Sequence, residues 1–120
     1  MSVLYLAGPM TGHEDFNRPA FLAAAGRLRR AGFTVLNPAE TPAPVPDPDW
    51  GDWIRAGIRQ LLDADGVALL PGAGGSRGAA LECKIAHELA VPVRTVPRWL
   101  TLVGQTEYMG RLLAGWEGGD

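Results

Sequence analysis

Short apolar runs alternate along this chain with longer stretches in which apolar residues recur at helical spacing. The runs predict four β-strands, at residues 3–7, 33–36, 67–70 and 91–96. The longer stretches predict helices at 50–62, at 76–90, near 106–113 and, between an Asn17 cap and Gly32, at 18–31. Connections of this length join parallel strands. The order therefore predicts an α/β fold, with a flavodoxin-like or Rossmann-like doubly wound parallel sheet of four to five strands.

A proline-rich segment interrupts the alternation after the second strand. Five prolines fall between residues 38 and 48, which excludes a helix or a central strand there. We interpret the segment as an extended surface loop that either borders a pocket or only connects two elements. The 120 residues have the length of one domain, residues 1–120, and the tail at 97–120 lies beyond the β/α alternation.

Charge, cysteine and histidine content narrow the classes of function. The net charge of −2 argues against binding of polymeric nucleic acid, although a few arginines could hold one small phosphate. Cys83 is the only cysteine, so no disulfide framework and no metal cluster is predicted. Cys83, His13 and His87 show no ligand spacing and are interpreted as structural. Without a secretory signal or an apolar run long enough to cross a bilayer, we expect a cytoplasmic protein with no membrane partner.

The most informative segment runs from Val67 to Glu82. A strand ends at Pro71, a glycine-rich loop follows, and Ser76 caps the next helix. This order places backbone N–H groups and the positive end of a helix at the carboxyl edge of a sheet, where anionic ligands bind. Ser76 and Arg77 could contact a phosphate, or they could be only a cap and a surface charge. The loop alone is a weak signal, because its glycines could simply form the turn.

Glu82 lies in the second turn of that helix, beside the predicted buried stripe. Half-burial raises the pKa of a carboxyl group, whereas the helix N-terminus stabilises its charged form. These two opposed effects on the pKa suit a nucleophile or a general base. The alternative is that Glu82 is a solvated carboxylate paired with Lys84 or Arg77. Tyr5 lies two residues before the end of the first strand. Its hydroxyl either reaches and orients Glu82 or is a satisfied core group.

Two motifs resemble the signatures of the nucleoside 2-deoxyribosyltransferase-like superfamily. The opening Tyr-Leu-Ala-Gly-Pro-Met-Thr-Gly at 5–12 is similar to the first-strand signature of that group. The Ser76-x-Gly78-x-x-x-Glu82 core within 65–82 is similar to its catalytic signature. The resemblance covers roughly residues 3–96 and is greatest to a phage-associated branch related to the 2′-deoxynucleoside 5′-phosphate N-hydrolases. The two motifs together, at this spacing, are more specific than either alone.

The resemblance implies an N-glycosidase that cleaves or exchanges the N-glycosidic bond of a (deoxy)nucleoside or its 5′-monophosphate, with water or a second base as acceptor. Glu82 would attack the anomeric carbon, and Tyr5 would position it. Substrate contacts, with Ser76 at the 5′-phosphate, would come from Gly8, Pro9, Met10, Gly12, Ser76, Arg77 and Gly78. No metal or other cofactor is implied. The expected partners are a small nucleoside or nucleotide and further copies of the chain, as a homodimer or larger assembly, with Trp99 and Trp116 as a possible interface.

One position departs from the superfamily pattern. Relatives usually carry an Asp on the second helix that binds the sugar hydroxyls or assists the leaving base, and this chain has Gly57 there. The glycine either admits a bulkier ligand or marks a weakened activity. The second possibility leads to the alternative of a catalytically silent nucleotide-binding or sensor domain. A Lonely Guy-type phosphoribohydrolase is a lesser alternative, because its motif is loosely similar to residues 71–82 but more closely spaced.

Overall fold

The computed structural model describes residues 2–114, which form four strands and four α-helices. The strands are β1 (Val3–Ala7), β2 (Thr34–Leu36), β3 (Gly66–Leu69) and β4 (Val93–Thr95). The helices are α1 (Arg18–Arg30), α2 (Trp50–Leu62), α3 (Arg77–Glu88) and α4 (Val96–Ala114). The four predicted strands and the first three predicted helices are confirmed to within two residues at each end.

The four strands form one parallel sheet in the order β2-β1-β3-β4. β1 is central, since Tyr5 pairs with Leu36 on one side and with Val67 on the other. The direction of winding reverses between β1 and β3, because the chain continues outward from β1 to β2 and from β3 to β4. The predicted doubly wound α/β sheet is confirmed, with four strands. The loops after β1 and β3 therefore leave the same sheet edge on either side of the switch point.

Side chains of β1 alternate between the two faces of the sheet. Leu4 and Leu6 belong to a core cluster with buried side chains of α1 and α4. Tyr5 and Ala7 belong to a second cluster with buried side chains of α2 and α3. The period of the strand thus directs the Tyr5 side chain towards the two helices that carry Gly57 and Glu82.

Helix α4 begins ten residues earlier than predicted. The Thr95 hydroxyl accepts a hydrogen bond from the Arg98 backbone N–H at 3.2 Å, and Pro97 lies in the first turn, where its missing N–H is tolerated. Trp99 is only 9% exposed, and its indole N–H donates to the Val67 carbonyl at 2.8 Å. The expectation that Trp99 supplies a subunit interface is therefore wrong, because this side chain completes the core. Trp116 lies outside the described residues.

Two segments on the site side of the sheet differ locally from the predictions. Asn17 precedes α1 but has a left-handed backbone (φ 62°), and its side-chain amide donates to the Pro9 carbonyl at 3.0 Å instead of capping the helix. The proline-rich segment is not extended throughout, since Pro38–Glu40 form a short 3-10 helix. The Asn37 side chain caps it by accepting a hydrogen bond from the Ala39 N–H at 3.0 Å.

Candidate functional site

A cavity of about 640 Å³ opens at the carboxyl edge of the sheet. The loops after β1 and β3 and the first turns of α2 and α3 line it, which is the position that the switch point of a doubly wound sheet predicts for a ligand. The sequence-predicted residues in its wall are Tyr5, Gly8, Pro9, Met10, Ser76, Arg77, Gly78 and Glu82. Gly12 is not among the lining residues, and its positive φ of 82° indicates a role in the turn.

Tyr5 and Glu82 meet at the floor of the cavity. The Tyr5 hydroxyl donates a hydrogen bond to Glu82 Oε2, although the two residues are 77 positions apart in the chain. Glu82 is only 5% exposed. The alternative of a solvated glutamate paired with Lys84 or Arg77 is therefore wrong. The Tyr5 phenol belongs to a central strand and the Glu82 carboxyl group to a packed helix, so the core holds both groups in place.

Glu82 is more deeply buried than its position in the sequence suggested. The buried residues of α3 are Ala79, Glu82 and Ala86, which follow the i, i+3, i+7 spacing of one helical face. The sequence led us to expect Glu82 beside a buried stripe, whereas Glu82 is itself one of the buried residues. Two small alanines flank the carboxyl group, and this lets α3 lie close to the sheet with Glu82 turned inward.

Burial decides the protonation of both side chains. It raises the pKa of Glu82 to about 7, while the hydrogen bond from Tyr5 acts in the lowering direction. Burial, followed by the nearby charge of Glu82, raises the pKa of Tyr5 well above its ordinary value. Tyr5 therefore remains a donor across the physiological range, and Glu82 changes charge close to neutral pH. A carboxyl group poised in this way can take part in proton transfer or nucleophilic attack at neutral pH.

We predict that Glu82 makes the folded protein less stable as pH rises. In the unfolded chain its carboxyl group loses its proton near pH 4.5, whereas in the folded protein it does so at about pH 7. Between these values the folded state holds the extra proton, so the free energy of unfolding falls with rising pH, by roughly 3 kcal/mol in total. Above about pH 7 this contribution is constant. Glu82→Gln removes the slope, which urea denaturation of both proteins at about pH 5 and pH 8 measures; an unchanged slope would contradict the buried acid.

Gly57 is where α2 passes directly over the Tyr5–Glu82 pair. A Cβ atom at this position would lie 2.5 Å from Glu82 Oε2 and 2.7 Å from the Tyr5 hydroxyl oxygen, closer than any packed structure tolerates. The absence of a side chain therefore does not leave room for a larger ligand. It allows the helix to cover the pair and exclude water from it, and this burial is what raises the pKa of Glu82.

The mouth of the cavity carries the polar groups of the α3 N-terminus. The Ser76 hydroxyl accepts a hydrogen bond from the Ala79 N–H at 3.3 Å, so the predicted N-cap is confirmed. The Arg77 guanidinium lies 3.7 Å from the centre of the Trp50 ring, which holds a cation above the first turn of α2. Helix dipole, loop N–H groups and Arg77 together give this end of the cavity a positive potential.

Apart from Gly57, sequence reasoning missed the residues that α2 contributes to the wall. Trp50, Trp53 and Ile54 line the cavity, as does His13, which the sequence led us to interpret as structural. The signal was present, because Asp49 and Asp52 form a capping box that starts α2 at Trp50. A helix that begins at the sheet edge presents its first turn to the cavity and only its later turns to the sheet.

The described residues contain no group of three or more His, Cys, Asp or Glu side chains placed to hold a metal ion. Within residues 2–114, no helix combines the length and the apolar character needed to cross a membrane.

A family model for a domain of unknown function, DUF4406, matches residues 2–95. The chain belongs to the DUF4406 family. The match spans β1 to β4 with the first three helices, so every cavity-lining residue named above is part of the DUF4406 domain, and α4 lies beyond it. No curated protein and no solved structure matches the chain. The family description names no activity, and the geometry of the cavity is the basis on which a function can be argued.

Proposed function

We propose that this DUF4406 domain is an N-glycosidase that cleaves or exchanges the N-glycosidic bond of a (deoxy)nucleoside or its 5′-monophosphate, with Glu82 as nucleophile. The observation that carries the proposal is the buried hydrogen bond from Tyr5 to Glu82 in the wall of a cavity at the switch point. The two motifs similar to nucleoside 2-deoxyribosyltransferases contribute Tyr5 and Glu82 to this pair. Family membership itself adds no activity to the argument.

The proposed reaction is a double displacement at the anomeric carbon. An oxygen of the ionised Glu82 attacks C1′, the C1′–N bond breaks, and the base leaves with the bonding electrons and takes a proton from solvent. Water then attacks C1′ of the glycosyl-enzyme ester and loses a proton to solvent, the C1′–O bond to Glu82 breaks, and the carboxylate is restored. The sum adds the elements of water across the N-glycosidic bond; a second base in place of water gives exchange. Tyr5, kept protonated by its high pKa, orients the carboxylate throughout.

The groups at the other end of the cavity are suited to bind a 5′-phosphate. Ser76 begins α3, and Arg77 lies beside it above Trp50. Helix N-termini with free N–H groups bind phosphate, and a nearby guanidinium strengthens this binding. Glu82 lies in the second turn of the same helix, so a sugar held between phosphate and base presents its ring to the carboxyl group.

We predict that base release rises with pH in the acid range. Attack requires the ionised form of Glu82, whose pKa is about 7. The value of kcat/KM should therefore increase tenfold per pH unit below about pH 7 and become constant above it. A profile measured with one substrate between about pH 5 and pH 9 checks this. A rate that falls above pH 7 would instead assign Glu82 the role of a general acid and contradict the nucleophile.

A second candidate function is nucleotide binding without turnover. Among the residues that line the cavity, Glu82 is the only carboxylate, and Gly57 occupies the position where relatives of the nucleoside 2-deoxyribosyltransferase type usually carry an Asp. No second carboxyl group therefore lines the cavity to protonate the departing base. A domain with this composition would hold a nucleotide as a sensor.

The experiment that separates the candidates is incubation of the pure protein with deoxy- and ribonucleosides and their 5′-monophosphates, with free base measured by chromatography. Base release that is absent in Glu82→Gln supports the N-glycosidase. Nucleotide binding by calorimetry without base release supports the sensor. Neither binding nor release would contradict both functions. The predicted homodimer and cytoplasmic location stay predictions.

A further inference from the structure

The loop between β1 and α1 contains a strained segment that the core does not require. Asp15, Phe16 and Asn17 are consecutive non-glycine residues with positive φ angles of 51°, 52° and 62°. Each left-handed residue of this kind costs about 1 kcal/mol or more. The loop contacts that hold them are local: Asn17 donates to the Pro9 carbonyl, and the Phe16 N–H donates to the His13 carbonyl. Such strain is typical of segments shaped by a ligand.

The strained backbone holds the Phe16 ring in solvent. This ring is 70% exposed, the largest exposed fraction among the bulky apolar side chains of the described residues. It lines a second cavity of about 160 Å³ together with Trp53 and Arg18. Trp53 is itself 44% exposed. Two exposed aromatic rings that line one small cavity form an unusual surface, because exposed apolar patches mark binding sites.

The second cavity continues the first. Met10, Thr11, Pro38 and Trp53 line both of them. The phosphate-binding groups at Ser76 and Arg77 line only the first cavity, and Phe16 and Arg18 line only the second. A ligand with its phosphate at the α3 N-terminus and its sugar at Glu82 therefore extends its base towards the wall that the two cavities share.

We infer that the second cavity is the outer part of the base-binding site, that Phe16 and Trp53 stack on the base there, and that it selects bicyclic purine bases over pyrimidines. This inference rests on the proposed function for the placement of the sugar. A planar ring is the group that aromatic side chains bind best, since stacking is favourable on either of its faces. A pyrimidine held by the same sugar and phosphate is shorter and leaves the second cavity unfilled.

The test is calorimetric titration of the full chain with a purine nucleoside 5′-monophosphate, the matching pyrimidine monophosphate and deoxyribose 5-phosphate. We expect Phe16→Ala to weaken purine binding about tenfold and to leave deoxyribose 5-phosphate binding unchanged. Phe16→Tyr keeps a stacking ring and should retain purine affinity. Leu62→Ala is the matched control, because Leu62 is another largely exposed apolar residue, 61% accessible, at the far end of α2 and outside both cavities.

Because the test measures binding, its result does not depend on whether the protein releases base from the nucleotide. A protein that releases no base but loses its purine preference in Phe16→Ala contradicts the N-glycosidase and supports the subsite. A protein that releases base from purines and pyrimidines alike, with equal affinities in Phe16→Ala and wild type, supports the N-glycosidase and overturns the subsite. Equal weakening of deoxyribose 5-phosphate binding would also overturn it, because Phe16 would then act on the whole site. Absence of any nucleotide binding would overturn both.

Discussion

Glu82→Gln is expected to reduce base release by at least about 10³-fold while the protein remains folded. The amide has the size of the carboxyl group and can still accept the hydrogen bond from the Tyr5 hydroxyl. What it lacks is the negative oxygen that attacks C1′ in the proposed reaction, and the charge that would face the oxocarbenium-like transition state. The measurement is kcat/KM for base release at about pH 8, where wild-type Glu82 is ionised.

The matched control is Glu88→Gln. Glu88 belongs to the same helix as Glu82 but is exposed and does not line the cavity. The two variants lose the same charge from α3, and only Glu82→Gln loses it from the site. Circular dichroism and the free energy of unfolding check that Glu82→Gln is folded. Near-wild-type base release by Glu82→Gln, with Glu88→Gln unchanged, would remove Glu82 from the mechanism.

Gly57→Ala is expected to destabilise the fold by about 1–3 kcal/mol, although alanine favours a helix over glycine by about 1 kcal/mol. The added Cβ would lie 2.5 Å from Glu82 Oε2 and 2.7 Å from the Tyr5 hydroxyl oxygen. Either α2 moves away from the sheet or the Tyr5–Glu82 hydrogen bond breaks. The first outcome admits water, so the pKa of Glu82 and the midpoint of the pH–rate profile should fall. The second removes the lowering effect of the Tyr5 hydrogen bond, so both should rise.

Gly104→Ala provides the matched control for Gly57→Ala. Gly104 is also a helical glycine, but a Cβ there would meet nothing within 4 Å, so this variant should be neutral or slightly more stable. Chemical denaturation of the two variants and the wild type measures the difference. Equal stability of Gly57→Ala and Gly104→Ala would show that α2 does not press on the pair. Gly57→Asp adds a second carboxylate to the same contact, and we expect it to lower base release, not to restore an activity.

The sequence predicted the fold where local and tertiary preferences agree. Buried strands such as Val3–Ala7 and the Ser76 cap have strong local signals, and parallel pairing follows from the connection lengths. The start of α4 was missed because residues 91–96 are apolar and favour a strand, while the N-cap role of Thr95 becomes clear only with Pro97 and the packing of Trp99. Strand propensity alone cannot decide where such a run turns into a helix.

The sequence predicted the two motifs of the site but not the other residues that line the cavity. The placement of Tyr5 and Glu82 at the site follows from the strand period and from the position of Glu82 in its helix. The depth at which Glu82 is buried depends instead on the small residues around it and on Gly57 of another helix. That contact joins residues 25 positions apart in sequence on different elements. The Phe16 wall was equally hidden, since nothing local predicts three consecutive left-handed residues.

The proposed covalent bond between Glu82 and the anomeric carbon can be tested through the stereochemistry of the product. Base release from a β-nucleotide that the protein accepts is followed by NMR in water containing methanol, so that solvent traps the sugar as its methyl glycoside. Two successive displacements at C1′ predict the β-methyl glycoside, with retention of configuration. Formation of the α-methyl glycoside as the first product would show a single displacement by solvent and contradict Glu82 as the nucleophile.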